Sequence, residues 1–441
     1  MNSIWSDAGI ARRNPLPGNM ETEVAVIGGG MAGILTAYYL QKKGKQVVVL
    51  EANRIGSGQT SGTTAKITSQ HNLIYQKLIS QVGMEQARQY AAANQAAIRE
   101  YRQLIQKNSI FCDFEELPSY LYSTTVSEPL RREAEAAGRL GIRADFVTET
   151  ELPFAIHGAV RFEGQAKFHP TEFLQSISMP LTIYENTTVM SVNGHKVRTD
   201  RGTVTAESVV FACHYPFVNI PGFYFARMYQ KRSYVLALRH APYFHGMYLG
   251  IEKEGLSFRQ AEEYLLLGGR GHRTGKVPSA NPYKSLQAAA AHLFPEAKVA
   301  AHWSAQDCMT VDSIPYIGQF APSRPNWYVA TGFNKWGMTS SMVSAMILSD
   351  MICGIPNPYA QVFSPKRLNL RASASEGMVH MGESVKDLTL GACRPPARCP
   401  HLGCKLLWNA SESTWECPCH GSRFNHSGEL LNGPAQTDVI F

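Results

Sequence analysis

The stretch from Cys399 to Phe424 constrains this chain more than any other. It reads Cys399-Pro400-His401-Leu402-Gly403-Cys404, then Cys417-Pro418-Cys419-His420-Gly421-Ser422. Each half offers one thiolate and one imidazole, Cys399 with His401 and Cys417 with His420. Each half also keeps a spare cysteine, Cys404 or Cys419. Two chemistries take such ligands. Tetrahedral Zn²⁺ accepts Cys and His at these spacings. A [2Fe–2S] cluster with two Cys on one iron and two His on the other needs the same supply. A zinc site has no use for the spare cysteines, nor for the tight-turn residues Gly403 and Gly421.

The pattern resembles the Rieske family, and within it the disulfide-bearing box of respiratory and photosynthetic complexes. The resemblance covers residues 375–441. It implies a small all-β domain, a [2Fe–2S] cluster held by Cys399, His401, Cys417 and His420, and a disulfide between Cys404 and Cys419. It also implies that Ser422 donates to a bridging sulfide. High-potential members carry a tyrosine where Phe424 stands, so the resemblance implies a potential in the middle of the span of roughly −150 to +300 mV. Arg423 would raise that potential if it faced the cluster. Such a centre carries one electron at a time, so the chain should hold a group that supplies or accepts electrons.

At 441 residues, two or three domains are expected. The net charge of +7 is mild, and no Lys/Arg run interleaves with aromatics, so nucleic-acid binding is not expected. No run of about 18 apolar residues predicts a membrane span. Arg12-Arg13 is followed by Asn14-Pro15-Leu16-Pro17-Gly18 where an export signal needs an apolar run. A cytoplasmic location is therefore expected. Five of the nine cysteines fall between Cys393 and Cys419, which is not the distribution of a secreted scaffold.

Taken in order, residues 1–20 read as a loosely ordered arm. Residues 23–27 read as a buried parallel strand, and Gly28-Gly29-Gly30-Met31-Ala32-Gly33 matches G-x-G-x-x-G. A helix over 31–43 is stopped by Gly44, and a second strand, 46–50, ends at Glu51. The strand before, the helix after and an acid 18 residues past Gly33 make this a dinucleotide site. The glycines bring backbone close to a pyrophosphate at a helix N-terminus, and Glu51 suits a ribose hydroxyl. Residues 72–107 read as helices. Residues 233–238, 247–251, 256–259 and 264–267 read as strands.

Several segments resemble, in order, the D-amino-acid oxidase/glycine oxidase/sarcosine oxidase family of flavoproteins. They are the small-residue loop Asn53 to Lys66, the hairpin and strand 199–213, Asp312-Ser313-Ile314-Pro315-Tyr316-Ile317-Gly318, and the strand–turn 328–337 before a closing helix over 337–353. The resemblance covers about residues 22–355. It implies an α/β architecture: a Rossmann-like FAD domain (about 20–70, 160–215 and 305–355) with an antiparallel substrate-domain sheet (71–159 and 216–304). Residues 356–374 read as a linker to the small domain. The resemblance implies FAD contacts from Gly28, Gly30, Met31, Ala32, Gly33, Glu51, Ala52, Ser57, Ser61, Gly62, Thr63, Val189, Ala212, Gly332, Gly337, Met338 and Thr339. Cys308 stands where sarcosine oxidases attach FAD through a thioether.

In this family a C–H bond beside an amine or hydroxyl carbon gives hydride to the flavin, and no dedicated base is expected. Arg259 is the first candidate for a substrate carboxylate, since a guanidinium fork fits it. Tyr234, Tyr248 and His272 are candidates for the same face. Lys335, beside Trp336, is a candidate for a substrate anion or for oxygen activation. Three readings follow. The protein is a dehydrogenase of an amine, amino acid or similar small substrate that feeds its own cluster and then an external one-electron carrier, ferredoxin-like or quinone-linked. Alternatively, external electrons enter through the cluster and reduce a substrate. In the third reading, a plain oxidase carries a sensing or structural cluster.

Overall fold

The computed structural model describes residues 3–5, 9–276, 278, 280–367 and 397–440. The strand Met20–Ile27 leads through three glycines into the helix Met31–Lys42 and the strand Val47–Leu50. Val24 to Ile27 are buried without alternation, because both faces of this sheet are covered. Thr182–Tyr184, Val47–Leu50, Met20–Ile27, Thr203–Phe211 and Arg324–Thr331 lie side by side in parallel, and Tyr316–Ala321 closes the edge antiparallel. The helix Gly337–Ile352 packs on the helix Met31–Lys42, burying Met342, Val343 and Leu348 against Ile34 and Leu35.

A nine-stranded sheet forms the second unit. Its long strands are Lys298–Thr310, Met228–Arg239 and Tyr264–Arg273, joined by Ser257–Ala261, Met247–Gly250, Glu115–Ser123 and Gly158–Lys167. Side chains alternate across it. Val235, Ala237, Leu266 and Trp303 join the core of the nucleotide-binding unit. Tyr234, Leu236, Tyr248, Phe258 and Leu267 face the other way, under the helix Pro282–Leu293. Tyr234 and Tyr248 therefore do not share a face with Arg259, whose register partner Leu266 is on the nucleotide side. The period of two sends neighbouring residues to opposite faces, and the expectation of one common face is corrected.

The third unit is a four-stranded sheet of two- and three-residue strands between Leu407 and Asn432. Its core holds Ala397, Leu406, Phe424, Ala435 and Val439 around four cysteines. A core this small needs a covalent or metal staple. Residues 368–396, with the second half of the expected linker, the start of the expected small domain and Cys393, lie outside the described residues.

Two stretches differ from the sequence expectation. The N-terminal arm is packed: Trp5 is buried and donates to Thr63 O at 2.7 Å, and Leu16 N donates to Thr187 Oγ1 at 3.0 Å. Residues 356–367, where the linker was expected, dock on the first unit. Val362 and Phe363 enter its core, and Arg367 donates to Asp312 at 2.7 Å. The helices Glu128–Arg139, Pro170–Ser178 and Pro282–Leu293 were not anticipated. The helical stretch 72–107 is the single segment Tyr75–Lys107, kinked at Gly83. Among the described residues, no helix is long and apolar enough to cross a membrane.

Candidate cofactor sites and the interface between them

The dinucleotide site is built mainly from backbone. A Cβ on Gly33 would lie 1.9 Å from Gly28 O, so only glycine lets the helix start this close to the strand. Gly30 gives that helix no side-chain cap, and Met31 N donates to Thr60 Oγ1 at 3.0 Å. Glu51 accepts from Gly29 N at 2.6 Å and Asn53 N at 2.8 Å. Burial raises its carboxyl, and those two N–H groups oppose the rise. The backbone N–H groups, the uncapped helix start and this carboxylate fit a dinucleotide.

The loop after Glu51 runs between the first two units. Ala52 and Ser57 are exposed, and the Ser57 and Ser61 hydroxyls close local turns on Arg54 O and on Ser57 O and Gly58 O. Gly62 O accepts from Trp303 Nε1 at 3.0 Å, which ties the loop to the large sheet. Val189 and Ala212 are buried at strand ends, and Ala212 N donates to Ile27 O at 2.9 Å. Gly332 opens the turn into the closing helix. There Met338 O accepts from Tyr101 Oη and Thr339 Oγ1 donates to Thr68 O, while Gly337 is its first residue.

Two cationic candidates stand at different places along that sheet. Lys335 donates to Ser233 Oγ at 2.6 Å and opposes the burial that raises the Asp307 carboxyl. Arg259 pairs with Leu266, which pairs with Ala237, four residues farther along the strand than Ser233. The two candidates are therefore not brought together. Arg259 lies in mid-strand, is only 2 % exposed, and gives Phe168 O one bond at 2.7 Å. Its Nε and Nη1 find no protein partner, and burial pushes its guanidinium down to about 9. It lines a cavity of about 320 Å³ with Trp5, Lys167, His169 and Glu262.

Lys66 escaped the sequence reading. Burial, then Arg259, pushes its ammonium down to about 7, and it donates to Ser257 Oγ at 2.7 Å. Only its place at the end of the small-residue loop hinted at it. His272 is bonded to Tyr234 Oη at 2.9 Å. His169 caps the helix Pro170–Ser178, accepting from Glu172 N at 3.3 Å. Cys308 is a buried free thiol whose protonation burial strongly favours.

The two Cys/His loops meet in the third unit. Cys404 and Cys419 are joined by a disulfide, and Cys417 Sγ lies within 4.8 Å of both its sulfurs. The buried Cys399 and Cys417 thiols share a hydrogen bond, which lowers the first and raises the second. The rings of His401 and His420 are 4.9 Å apart. Burial holds both imidazoles neutral, pushed down to about 4 and about 3. His401 Nδ1 and His420 Nδ1 are buried with no protein partner, an uncommon state for such atoms. Two buried thiols and two orphaned imidazole nitrogens are the donor set of a two-Cys, two-His cluster. Ser422 Oγ accepts from Ala435 N at 3.0 Å, and Phe424 is fully buried. Arg423 is engaged by Glu412, Glu416 and Asn432.

The tips of these loops are seated on the first two units. His401 Nε2 donates to Asn219 Oδ1 at 2.7 Å. His420 O accepts from Gln230 Nε2 at 2.6 Å, and Gly421 O from Gln306 Nε2 at 2.7 Å. Arg232, 1 % exposed, pairs with Glu412 at 2.6 Å and lies 3.9 Å from Glu416. Gly275 N donates to Glu416 at 3.0 Å, and a Cβ on Gly275 would strike Pro418 at 2.4 Å. In a buried two-Arg, two-Glu network, separating the partners leaves uncompensated charge, so pulling this contact apart is costly.

The family model described as FAD dependent oxidoreductase matches residues 23–351, and that described as Rieske [2Fe-2S] domain matches residues 394–440. The chain belongs to the FAD-dependent oxidoreductase family. It is an oxidoreductase that binds FAD in its larger part and a [2Fe–2S] cluster in its Rieske domain. It is 35 % identical over 468 residues to YhfW, a Bacillus subtilis (strain 168) protein named for a Rieske 2Fe-2S centre, covering 94 % of this chain and 92 % of that one. The cytochrome b6-f complex iron-sulfur subunit of Microcystis aeruginosa matches the Rieske end alone, 50 % over 50 residues, which is 11 % of this chain and 28 % of that one. Glycine oxidase from Geobacillus kaustophilus shares the fold with a TM-score of 0.67 at 22 % identity, over 79 % of this chain and 99 % of that one. L-proline dehydrogenase from P. horikoshii does so with a TM-score of 0.67 at 18 % identity, over 80 % and 98 %.

Proposed function

We propose that this oxidoreductase dehydrogenates an amine, amino acid or similar small substrate and passes the electrons, one at a time, through its own Rieske domain to an external carrier. FAD supplies a two-electron hydride acceptor, and the cluster supplies a one-electron relay. Cys399, His401, Cys417 and His420 are assigned as the cluster ligands. The glycines 28, 30 and 33, Glu51, the loop 52–63 and the start of the closing helix are assigned to FAD. Arg259 and the neighbouring Lys66 are assigned to orienting an anionic substrate group, and Lys335, at a different place along the sheet, to oxygen activation.

One observation carries this reading. The loops bearing the four ligands are seated on residues 215–232, which continue directly from the strand end at Ala212, where FAD is assigned. Asn219 bonds His401 at 2.7 Å, and the rings of Tyr215 and Phe225 lie 6.4 and 5.9 Å from that of His420. A cluster used only as a staple has no need of such seating. The test is product accounting with the holoenzyme and a panel of amines, amino acids and hydroxy acids. Dye reduction with little hydrogen peroxide per substrate oxidised is expected. Stoichiometric peroxide and no faster dye reduction would favour a plain oxidase.

A further inference from the structure

His401 and His420 are buried to different extents. His420 is 3 % exposed and walled by Tyr215 and Phe225, whereas His401 is half-buried at the edge of the contact. Around that edge the surface is apolar. Leu402, next to His401, is 36 % exposed. Ile220, next to Asn219, is 69 % exposed, and Phe223, whose N–H donates to Asn219 O at 3.1 Å, is 51 % exposed. Large apolar side chains gathered on a surface mark an interaction site. The described segments that carry the patch hold no carboxylate. Residues 208–251 and 397–411 contain no carboxylate, and the exposed side chains of Arg398 and Lys405 flank Leu402 in sequence.

We propose that the patch Leu402, Ile220 and Phe223, with Arg398 and Lys405 at its rim, is the docking surface for an acidic one-electron carrier protein. This rests on the proposed relay function. The Rieske domain is held against the rest of the chain by the buried Arg232–Glu412–Arg423 network, so the exit must lie on a side that stays open. The half-buried edge of His401 is that side. The apolar centre excludes water at contact, and the basic rim steers an acidic partner. The step moves one electron from the reduced cluster to the oxidised carrier, with no bond made or broken.

The test runs the same surface in the downhill direction. An acidic plant-type [2Fe–2S] ferredoxin, pre-reduced, is mixed with holoenzyme carrying an oxidised cluster, and the cluster's reduction is followed by stopped-flow absorbance. The rate is expected to fall about tenfold in Lys405→Glu with Arg398→Glu at low salt. It should converge with wild type at about 1 M salt, where the screening length is about 3 Å. Phe223→Glu lies outside the cluster loops and should slow the reaction while leaving the cluster's EPR spectrum unchanged. Lys298→Glu, on a remote strand, should do nothing. Equal rates in all variants would overturn the docking surface. So would ferredoxin rates that ignore the charge reversals while Phe223→Glu slows reduction by a soluble quinol, which would make the patch a quinone site, or a dimer sealed by the patch in sedimentation. If reduced flavin fails to reduce the cluster inside the chain, the relay itself fails, whatever the ferredoxin rates show.

Discussion

The residues assigned to FAD and those assigned to the cluster make two sites of opposite materials. The first is made of backbone: glycines, N–H groups and a helix start, with Glu51 as its one charged side chain. The second is made of side chains: two thiols, two imidazoles and a disulfide in a domain with strands of two or three residues. A backbone site fails through steric intrusion and tolerates most side-chain changes. A side-chain site loses everything with one ligand, and a domain with so small a core has little stability in reserve.

The comparison is broken most directly by two variants. Cys417→Ala should abolish the cluster, read as loss of iron and acid-labile sulfide, while FAD stays bound. Gly33→Val should do the reverse, because its side chain would enter the space 1.9 Å from Gly28 O. If either variant lost both cofactors, the two sites would be one folding unit and the contrast would fall.

The next effect concerns the contact. Arg232→Met leaves Arg423 as the one cation of the network beside Glu412 and Glu416, and should cost about 3–5 kcal/mol of docking or stability, read by urea titration of the holoenzyme. Burial raises the Glu412 carboxyl, but Arg232, then the Tyr283 hydroxyl and then Arg423 hold it below the usual range. A folded value below the unfolded one contributes stability that is present above the ordinary glutamate range and is lost as pH falls through the folded value. The docked state should therefore loosen in acid, and wild type should approach the Arg232→Met curve there. Parallel pH profiles for the two proteins would contradict that sign.

A smaller effect sharpens the backbone side of the comparison. Glu51→Gln keeps the shape and removes the charge, and should weaken FAD retention by about tenfold, or roughly 1.4 kcal/mol. Equilibrium dialysis of FAD against the apoprotein reads it, and unchanged affinity would remove Glu51 from the site.

The parts legible in the sequence are those encoded over short range. The strand, the glycines, the helix and the acid of the first site lie within about 30 residues, as that motif requires. The cluster loops are two six-residue words. The substrate strands show their apolar runs and turns. The contact between the units is of another kind. Gln230, Arg232 and Gln306 occupy alternate positions of ordinary strands, and their partners lie more than a hundred residues away. Nothing local distinguishes them from surface residues. Lys66 was similarly opaque, and Arg259 was picked by residue type alone, because the burial that makes both unusual is not written locally. The N-terminal arm read as loose because its anchors, Trp5 and Leu16 among them, pack against residues far along the chain.

The account stands or falls on whether the two sites exchange electrons. The direct measurement is anaerobic: the bound FAD is photoreduced with catalytic deazaflavin, the light is shut off, and samples are frozen over time for EPR and absorbance. The account predicts that the reduced-cluster signal grows as flavin absorbance returns, with the same rate constant, and that Arg232→Met slows both. A flavin that stays reduced beside an oxidised cluster would contradict it.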